Sequence, residues 1–125
     1  MANSNVEFCG RVSDRELREM YASSRALLLP GEEDFGMTAV EALASGKPVI
    51  ALGRGGALES VPTADPVGGV LYTEPIEEEL AIAVEQFDRI EKHISAQSLQ
   101  AWAQRFRKEN FIQQMTPILF PPAGI

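Results

Sequence analysis

Ala26-Leu-Leu-Leu-Pro-Gly-Glu-Glu-Asp-Phe-Gly-Met-Thr-Ala-Val-Glu-Ala-Leu-Ala-Ser-Gly-Lys-Pro-Val-Ile-Ala-Leu52 is the stretch that decides the fold. Ala26–Leu29 is a continuous apolar run stopped by Pro30, the pattern of a strand buried on both faces of a parallel sheet. Met37 to Ser45 then places Met37, Val40, Leu43 and Ala44 on one helical face, and Gly46 ends the helix. Pro48–Leu52 is the next apolar strand. Strand, helix and strand joined by short connections make one unit of an α/β sheet, wound with the usual right hand.

The alternation continues outward on both sides. Upstream, Val6–Cys9 is short, apolar and closed by Gly10, which predicts a strand. Ser13-Asp-Arg-Glu16 is a capping box, and Leu17, Met20 and Tyr21 repeat at helical spacing behind it. Downstream, Pro48–Leu52 leads into Gly53-Arg-Gly-Gly56, Ala57–Val61 has room only for a short helix before Pro62, and Gly69–Tyr72 reads as another strand. From Pro75, the residues Ile76, Leu80, Ala83, Val84, Phe87 and Ile90 keep helical register. Further helices are predicted from about Ser95, with Leu99, Trp102 and Phe106 inward, and from about Asn110, with Phe111, Met115 and Ile118 inward, its end blurred by Pro117. The expectation is one domain over residues 1–125: an open parallel sheet of about four strands flanked by helices, with C-terminal helices from about residue 75.

Composition narrows the function. A chain of 125 residues with 45% hydrophobic content buries one ordinary core and has no room for a second domain of typical size. The formal charge of −7 argues against broad nucleic-acid binding, which needs a clustered surplus of Lys and Arg. Much of that excess lies between Thr73 and Glu91, where seven acids face one base, as on a solvated helix face. No apolar stretch is long enough for a transmembrane segment, and the start lacks a charged segment followed by an apolar one, so an unexported, cytoplasmic protein is expected. Cys9 is the single cysteine, which rules out an internal disulfide and offers no thiolate cluster to a structural zinc.

Open α/β sheets bind ligands at the carboxyl ends of their strands. The loops there are Gly10–Ser13, Pro30–Thr38 and Gly53–Glu59, the most glycine-rich and polar segments of the chain. In the second of them, Glu33 and Glu41 flank Asp-Phe-Gly and the start of a helix. First-turn N–H groups have no internal partner, and with the helix dipole they can hold an anion without a basic side chain. Gly36 lets a ligand approach closely, and carboxylates accept paired hydroxyls such as those of a sugar or ribose. Two plainer readings stand beside this one. Thr38-Ala-Val-Glu41 is itself a capping-box sequence that could occupy Glu41 entirely, and Glu33, beside Glu32 and Asp34, fits an exposed acidic loop. His93 suits an exposed helix end and Trp102 suits core packing.

Glu33-Asp-Phe-Gly36, Glu41-Ala-Leu-Ala-Ser-Gly-Lys-Pro-Val-Ile-Ala51 and Gly55-Gly-Ala-Leu-Glu59 together resemble the signature of retaining GT-B glycosyltransferases of group 1, family 4. Val6-Glu-Phe-Cys-Gly-Arg-Val-Ser-Asp14 and Trp102-Ala-Gln-Arg-Phe106 with Phe111 also resemble that family's C-terminal, donor-binding domain, so the likeness covers nearly the whole chain in the right order. It implies a partial, Rossmann-like C-terminal half of a GT-B fold. It also implies that Glu33 is the catalytic-site carboxylate at the donor sugar and that Glu41 holds the nucleotide ribose. Phe35, Gly36, Met37 and Thr38 would meet sugar hydroxyls and the diphosphate with backbone amides, while Arg11, Val12 and Asp14 are base-side candidates. Gly55, Gly56 and Glu59 line a neighbouring loop, where a structural turn is as good a reading as a ligand contact. No metal or other cofactor is implied, and no Asp-x-Asp motif is present.

The resemblance also shows departures. The family's C-terminal domain opens with two further strands and an Arg and Lys that clamp the diphosphate, and the five residues before Val6 cannot supply them. The chain is therefore expected to be a truncated domain that needs a separate N-terminal acceptor domain and transfers no sugar efficiently by itself. Whether it counts as an enzyme alone is left open. Arg54 and Lys47 are candidate substitutes for the clamp, or ordinary surface charges. In the strand order 3-2-1-4-5-6, loss of the first two strands exposes sheet edges. Either the first strand shifts beside Ala26–Leu29 or two chains pair as a homodimer. The implied parent reaction moves a hexosyl group from a nucleoside diphosphate sugar to a hydroxyl. GDP-mannose is the first expectation, from the mannosyltransferase-like Glu-Glu-Asp-Phe-Gly variant, with UDP-sugars next. The parent enzyme would lie in the cytoplasm or at the inner membrane face. The alternative is a non-catalytic nucleotide-sugar-binding or assembly module, with an epimerase or phosphorylase relative further off.

Overall fold

A computed structural model describes residues 6–31 and 37–106, with Met37 as backbone only. Along the chain the elements are α1 (Asp14–Ser23), β1 (Leu27–Leu29), α2 (Met37–Ala44), β2 (Val49–Leu52), α3 (Gly56–Ser60), β3 (Gly69–Tyr72), α4 (Glu77–Ile90) and α5 (Ala96–Ala103). Short 3-10 turns follow α4 at Glu91–His93 and α5 at Gln104–Phe106. The strands form one parallel sheet in the order β1-β2-β3, with Leu27 opposite Val49 and Val49 opposite Gly69.

β2 is central and buried along its whole length, as its unbroken apolar sequence requires. Its side chains alternate between two cores. Val49 and Ala51 face a layer holding Leu43 of α2 and Leu99 of α5, while Ile50 and Leu52 face Ala83 and Phe87 of α4. Helices thus cover both faces of the sheet. Fully burying side chains the size of Leu43 and Leu99 stabilises the fold by about 1.5–3 kcal/mol each.

Local sequence explains where the helices begin and end. Ser13 caps α1 by accepting the Glu16 N–H at 3.1 Å, and Ser95 caps α5 by accepting the Ser98 N–H at 3.2 Å. α2 ends with the Lys47 N–H on the Ala42 carbonyl and the Gly46 N–H on the Leu43 carbonyl, both at 2.9 Å, with Gly46 at φ +79. That left-handed residue is what glycine supplies at such a stop. Arg25, just before β1, ties the sheet to the end of α4 by donating to Asp88 at 2.9 Å and to the two Glu91 carboxylate oxygens at 2.6 and 3.0 Å.

Several expectations need correction. Val6–Cys9 forms no strand and lies exposed, with Phe8 83% accessible. A strand requires a hydrogen-bonding neighbour, and β1 pairs only with β2 among the described residues. Of the two alternatives, the shift of Val6–Cys9 onto that edge does not occur, and among the described residues the sheet has three strands where about four were expected. For the same reason the run Ala26–Leu29 is half-exposed, with Leu28 open to solvent. In α2 the inward face carries Ala39, Val40, Ala42 and Leu43, and Ala44 points outward. Small side chains there let α2 pack closely on α5, whose Ala96 would lie 3.0 Å from a Cβ placed on Gly46. Met20 and Val84 are more exposed than their helical spacing predicts. The helix expected from about Asn110, with Phe111, Met115 and Ile118, lies outside the described residues.

Candidate functional site

The three strands run parallel, so the loops after β1, β2 and β3 emerge at one edge, and the N-termini of α2, α3 and α4 meet there. α2 opens this edge. It begins at Met37, which places Thr38 inside its first turn and Glu41 one turn further along. Glu33, Phe35 and Gly36 lie outside the described residues, as do Glu32 and Asp34.

This helix start corrects the capping-box reading of Glu41. A capping residue must precede the first helical turn, whereas Thr38 is already helical. Thr38 is half-buried and Glu41 is exposed. The Glu41 carboxylate accepts from the hydroxyl of Tyr21, at 3.5 Å from Oε2, a long hydrogen bond reaching across from α1. Sequence reasoning placed Tyr21 on the buried face of α1, where it is 8% accessible, and missed this role. The signal was available: a tyrosine at a core position brings a hydroxyl that needs a partner, which phenylalanine would not.

Arg11, Val12 and Asp14 sit where Gly10, at φ +62, turns the chain into α1. Arg11 and Asp14 are exposed and Val12 is half-buried. α1 is anchored to the core by Leu17 and Tyr21, and the Tyr21–Glu41 contact joins it to α2. Asp14 therefore stands on, and Arg11 and Val12 just before, a helix whose Tyr21 contacts Glu41.

The loop after β2 is a built turn. The Gly53 N–H donates to the Tyr72 carbonyl at 2.7 Å and the Arg54 N–H to the Leu52 carbonyl at 2.8 Å. Gly55 takes φ 61 and ψ −138, a region open to glycine alone. That conformation gives Gly55 a structural reason for being glycine, and Glu59 is exposed on the short α3 behind it. Arg54 extends from this turn and donates from Nη2 to the Thr73 carbonyl at 3.3 Å and the Glu74 carboxylate at 3.4 Å.

Lys47 does not belong to this edge. It lies in the turn before β2, at the amino ends of the strands, because every helix-to-strand turn of a parallel sheet falls opposite the strand-to-helix loops. There it lines an open pocket of about 260 Å³ with Ser24, Arg25, Pro48 and Glu91. Arg25 holds the Glu91 carboxyl below its ordinary value, chiefly through their hydrogen bonds, and its own guanidinium is correspondingly harder to deprotonate. Trp102 is a packing residue, as its spacing predicts: it lies against the α2/α5 core, donates its indole N–H to the Ser60 carbonyl at 2.9 Å and carries the Arg105 guanidinium 3.4 Å above its ring. His93 is exposed in the turn after α4. Among the described residues no cluster of three His, Cys, Asp or Glu side chains could hold a metal ion, and no helix is long and apolar enough to cross a membrane.

Residues 1–108 match the family described as Glycosyl transferases group 1. A mannosylfructose-phosphate synthase of Agrobacterium fabrum is 39% identical over 57 residues, which are 45% of this chain and 13% of that protein. Sucrose-phosphate synthase of Thermosynechococcus elongatus superposes with a TM-score of 0.76 and 26% identity over 90% of this chain and 29% of that one. The three parallel strands flanked by helices thus have the Rossmann-like form of the GT-B fold. The chain spans less than a third of the length of either relative.

Proposed function

The chain belongs to the group 1 glycosyl transferases, and from that premise we propose that its carboxyl edge binds the nucleotide-sugar donor of a retaining, family 4 type hexosyl transfer. The observation that carries this is the start of α2: Glu41 is free of any capping duty, exposed one turn from the first-turn amides, at the edge where α/β sheets take their ligands. In this reading the backbone N–H groups of Met37 and Thr38 meet the diphosphate and Glu41 accepts the ribose hydroxyls. Glu33, Phe35 and Gly36 belong at the donor sugar, and Arg11, Val12 and Asp14 beside the base. Glu33 then acts next to the anomeric carbon, and the amides at the helix start stabilise the charge that develops on the departing diphosphate. No metal is assigned a part, since the amides already supply positive potential where that charge appears.

The donor we propose first is GDP-mannose, because the Glu-Glu-Asp-Phe-Gly segment and the mannosyl group named in the Agrobacterium relative point the same way. UDP-sugars come second. A hydroxyl acceptor must be held by another domain, of the same or a separate polypeptide, since positioning the nucleophile supplies much of the rate and the described residues form a single sheet. Alone, the chain is then a binding module that takes up the donor without turning it over, and adding an acceptor domain restores turnover. Calorimetric titration with GDP-mannose, UDP-glucose, GDP and UDP tests the reading. Saturable binding at one site, tighter for the guanosine pair, is expected; absence of heat with all four overturns it.

A further inference from the structure

We infer that Tyr21 is a positioning residue of the donor site: its hydroxyl holds the Glu41 carboxylate in the pose that accepts the ribose diol, and the site thereby selects nucleotides that carry that diol. The inference rests on the donor reading above and deepens it. It supplies the group that turns Glu41 from a surface acid into a specific reader of the sugar.

The backbones of both residues are fixed. Tyr21 lies in the last turn of α1, where its carbonyl accepts the Ser24 N–H at 3.2 Å and the Ser24 hydroxyl at 2.9 Å. Its ring is 8% accessible and belongs to the core layer that holds Leu17 of its own helix and Ala39, Ala42 and Leu43 of α2. On α2 the Glu41 carbonyl accepts the N–H and the hydroxyl of Ser45, at 3.1 and 3.0 Å. The position of the phenol oxygen is therefore set by the core, and the long, exposed side chain of Glu41 is the part that can swing. The hydroxyl donates to Oε2 of that side chain at 3.5 Å.

The chemistry of the two groups fits this division of labour. A phenol donates one hydrogen, whereas a carboxylate accepts at both oxygens, so Oε2 turned toward α1 leaves Oε1 and the remaining lone pairs for the paired hydroxyls of a ribose. Restricting a mobile glutamate before the ligand arrives removes part of the ordering entropy from the binding step. Phenylalanine would fill the same core space, so packing alone does not call for the hydroxyl. Nor does folding gain much from a bond of this length beside an exposed carboxylate, which sets a positioning residue apart from a structural brace.

The test is calorimetric titration of the whole chain with GDP, UDP and the dideoxy form of each, which lacks the ribose diol, for wild type, Tyr21→Phe, Glu41→Ala and the double variant. Wild type is expected to bind the ribonucleotide it prefers roughly ten-fold more tightly than the matching dideoxy form. Tyr21→Phe should lower that ratio several-fold by weakening the ribonucleotide alone. Glu41→Ala should abolish the ratio, and the double variant should match Glu41→Ala, because Tyr21 acts only through the carboxylate. A brace between α1 and α2 would instead lower the melting temperature of Tyr21→Phe and leave the ratio at its wild-type value. That unchanged ratio, or an equal loss for both forms, overturns the inference and leaves the donor reading standing. A ratio kept in Glu41→Ala takes Glu41 away from the ribose and the inference with it. Failure of wild type to bind any of the four nucleotides removes the donor reading as well.

Discussion

Glu41 has its carboxylate in solvent one turn into α2, with only the long Tyr21 contact among described partners. Glu41→Gln is therefore expected to change stability by no more than about 0.5 kcal/mol, while weakening nucleotide binding roughly ten-fold through lost charge-assisted hydrogen bonds. Thermal melting and titration of the same sample separate the two effects. Trp102→Phe should behave in the opposite way, costing about 1–3 kcal/mol of stability because the Ser60 carbonyl loses its indole donor, with donor affinity unchanged. The sequence marked both residues for attention and assigned Trp102 to the core from its spacing alone. It could not settle Glu41, because the capping box and the ligand site use the same residue types and differ only in where the helix begins. Lys47 shows a related limit: closeness to a motif along the chain did not reveal that the turn before β2 lies at the opposite end of the sheet.

At the scale of elements, β3 depends on Gly69. A Cβ there would fall on the Val49 carbonyl oxygen of the neighbouring strand, and φ is +153, so Gly69→Ala should destabilise by more than about 3 kcal/mol or prevent folding. Chemical denaturation of the soluble fraction measures the loss. The bond network from Arg25 to α4 predicts a pH dependence. Glu91 has a folded value below its ordinary 4.5, so the stability it contributes is fully present above that value and is lost as pH falls through the lower, folded one. The melting-temperature difference between wild type and Glu91→Gln should accordingly hold steady near neutrality and shrink below about pH 4.5; a difference that grows on acidification would contradict the pairing. The described helices and all three described strands were legible because apolar periodicity, capping serines and Gly46 agreed with one another. Val6–Cys9 misled because a strand's existence depends on a neighbour, and local sequence contains no record of whether one is present.

Across the whole molecule, β1 lies at the outer side of the sheet among the described residues, and Leu28 on it is half-exposed. Fold class was readable from the order of strands and helices, and the same parallel topology dictates that the strand-to-helix loops converge at one edge. The central claim is that the carboxyl edge between α1 and α2 is a donor site built on Glu33 and Glu41. Its most direct measurement is a calorimetric comparison of wild type, Glu33→Ala and Glu41→Ala against GDP-mannose and GDP. Loss of affinity for both ligands in Glu41→Ala, and for the sugar-bearing ligand selectively in Glu33→Ala, is predicted; equal binding by all three proteins would contradict it.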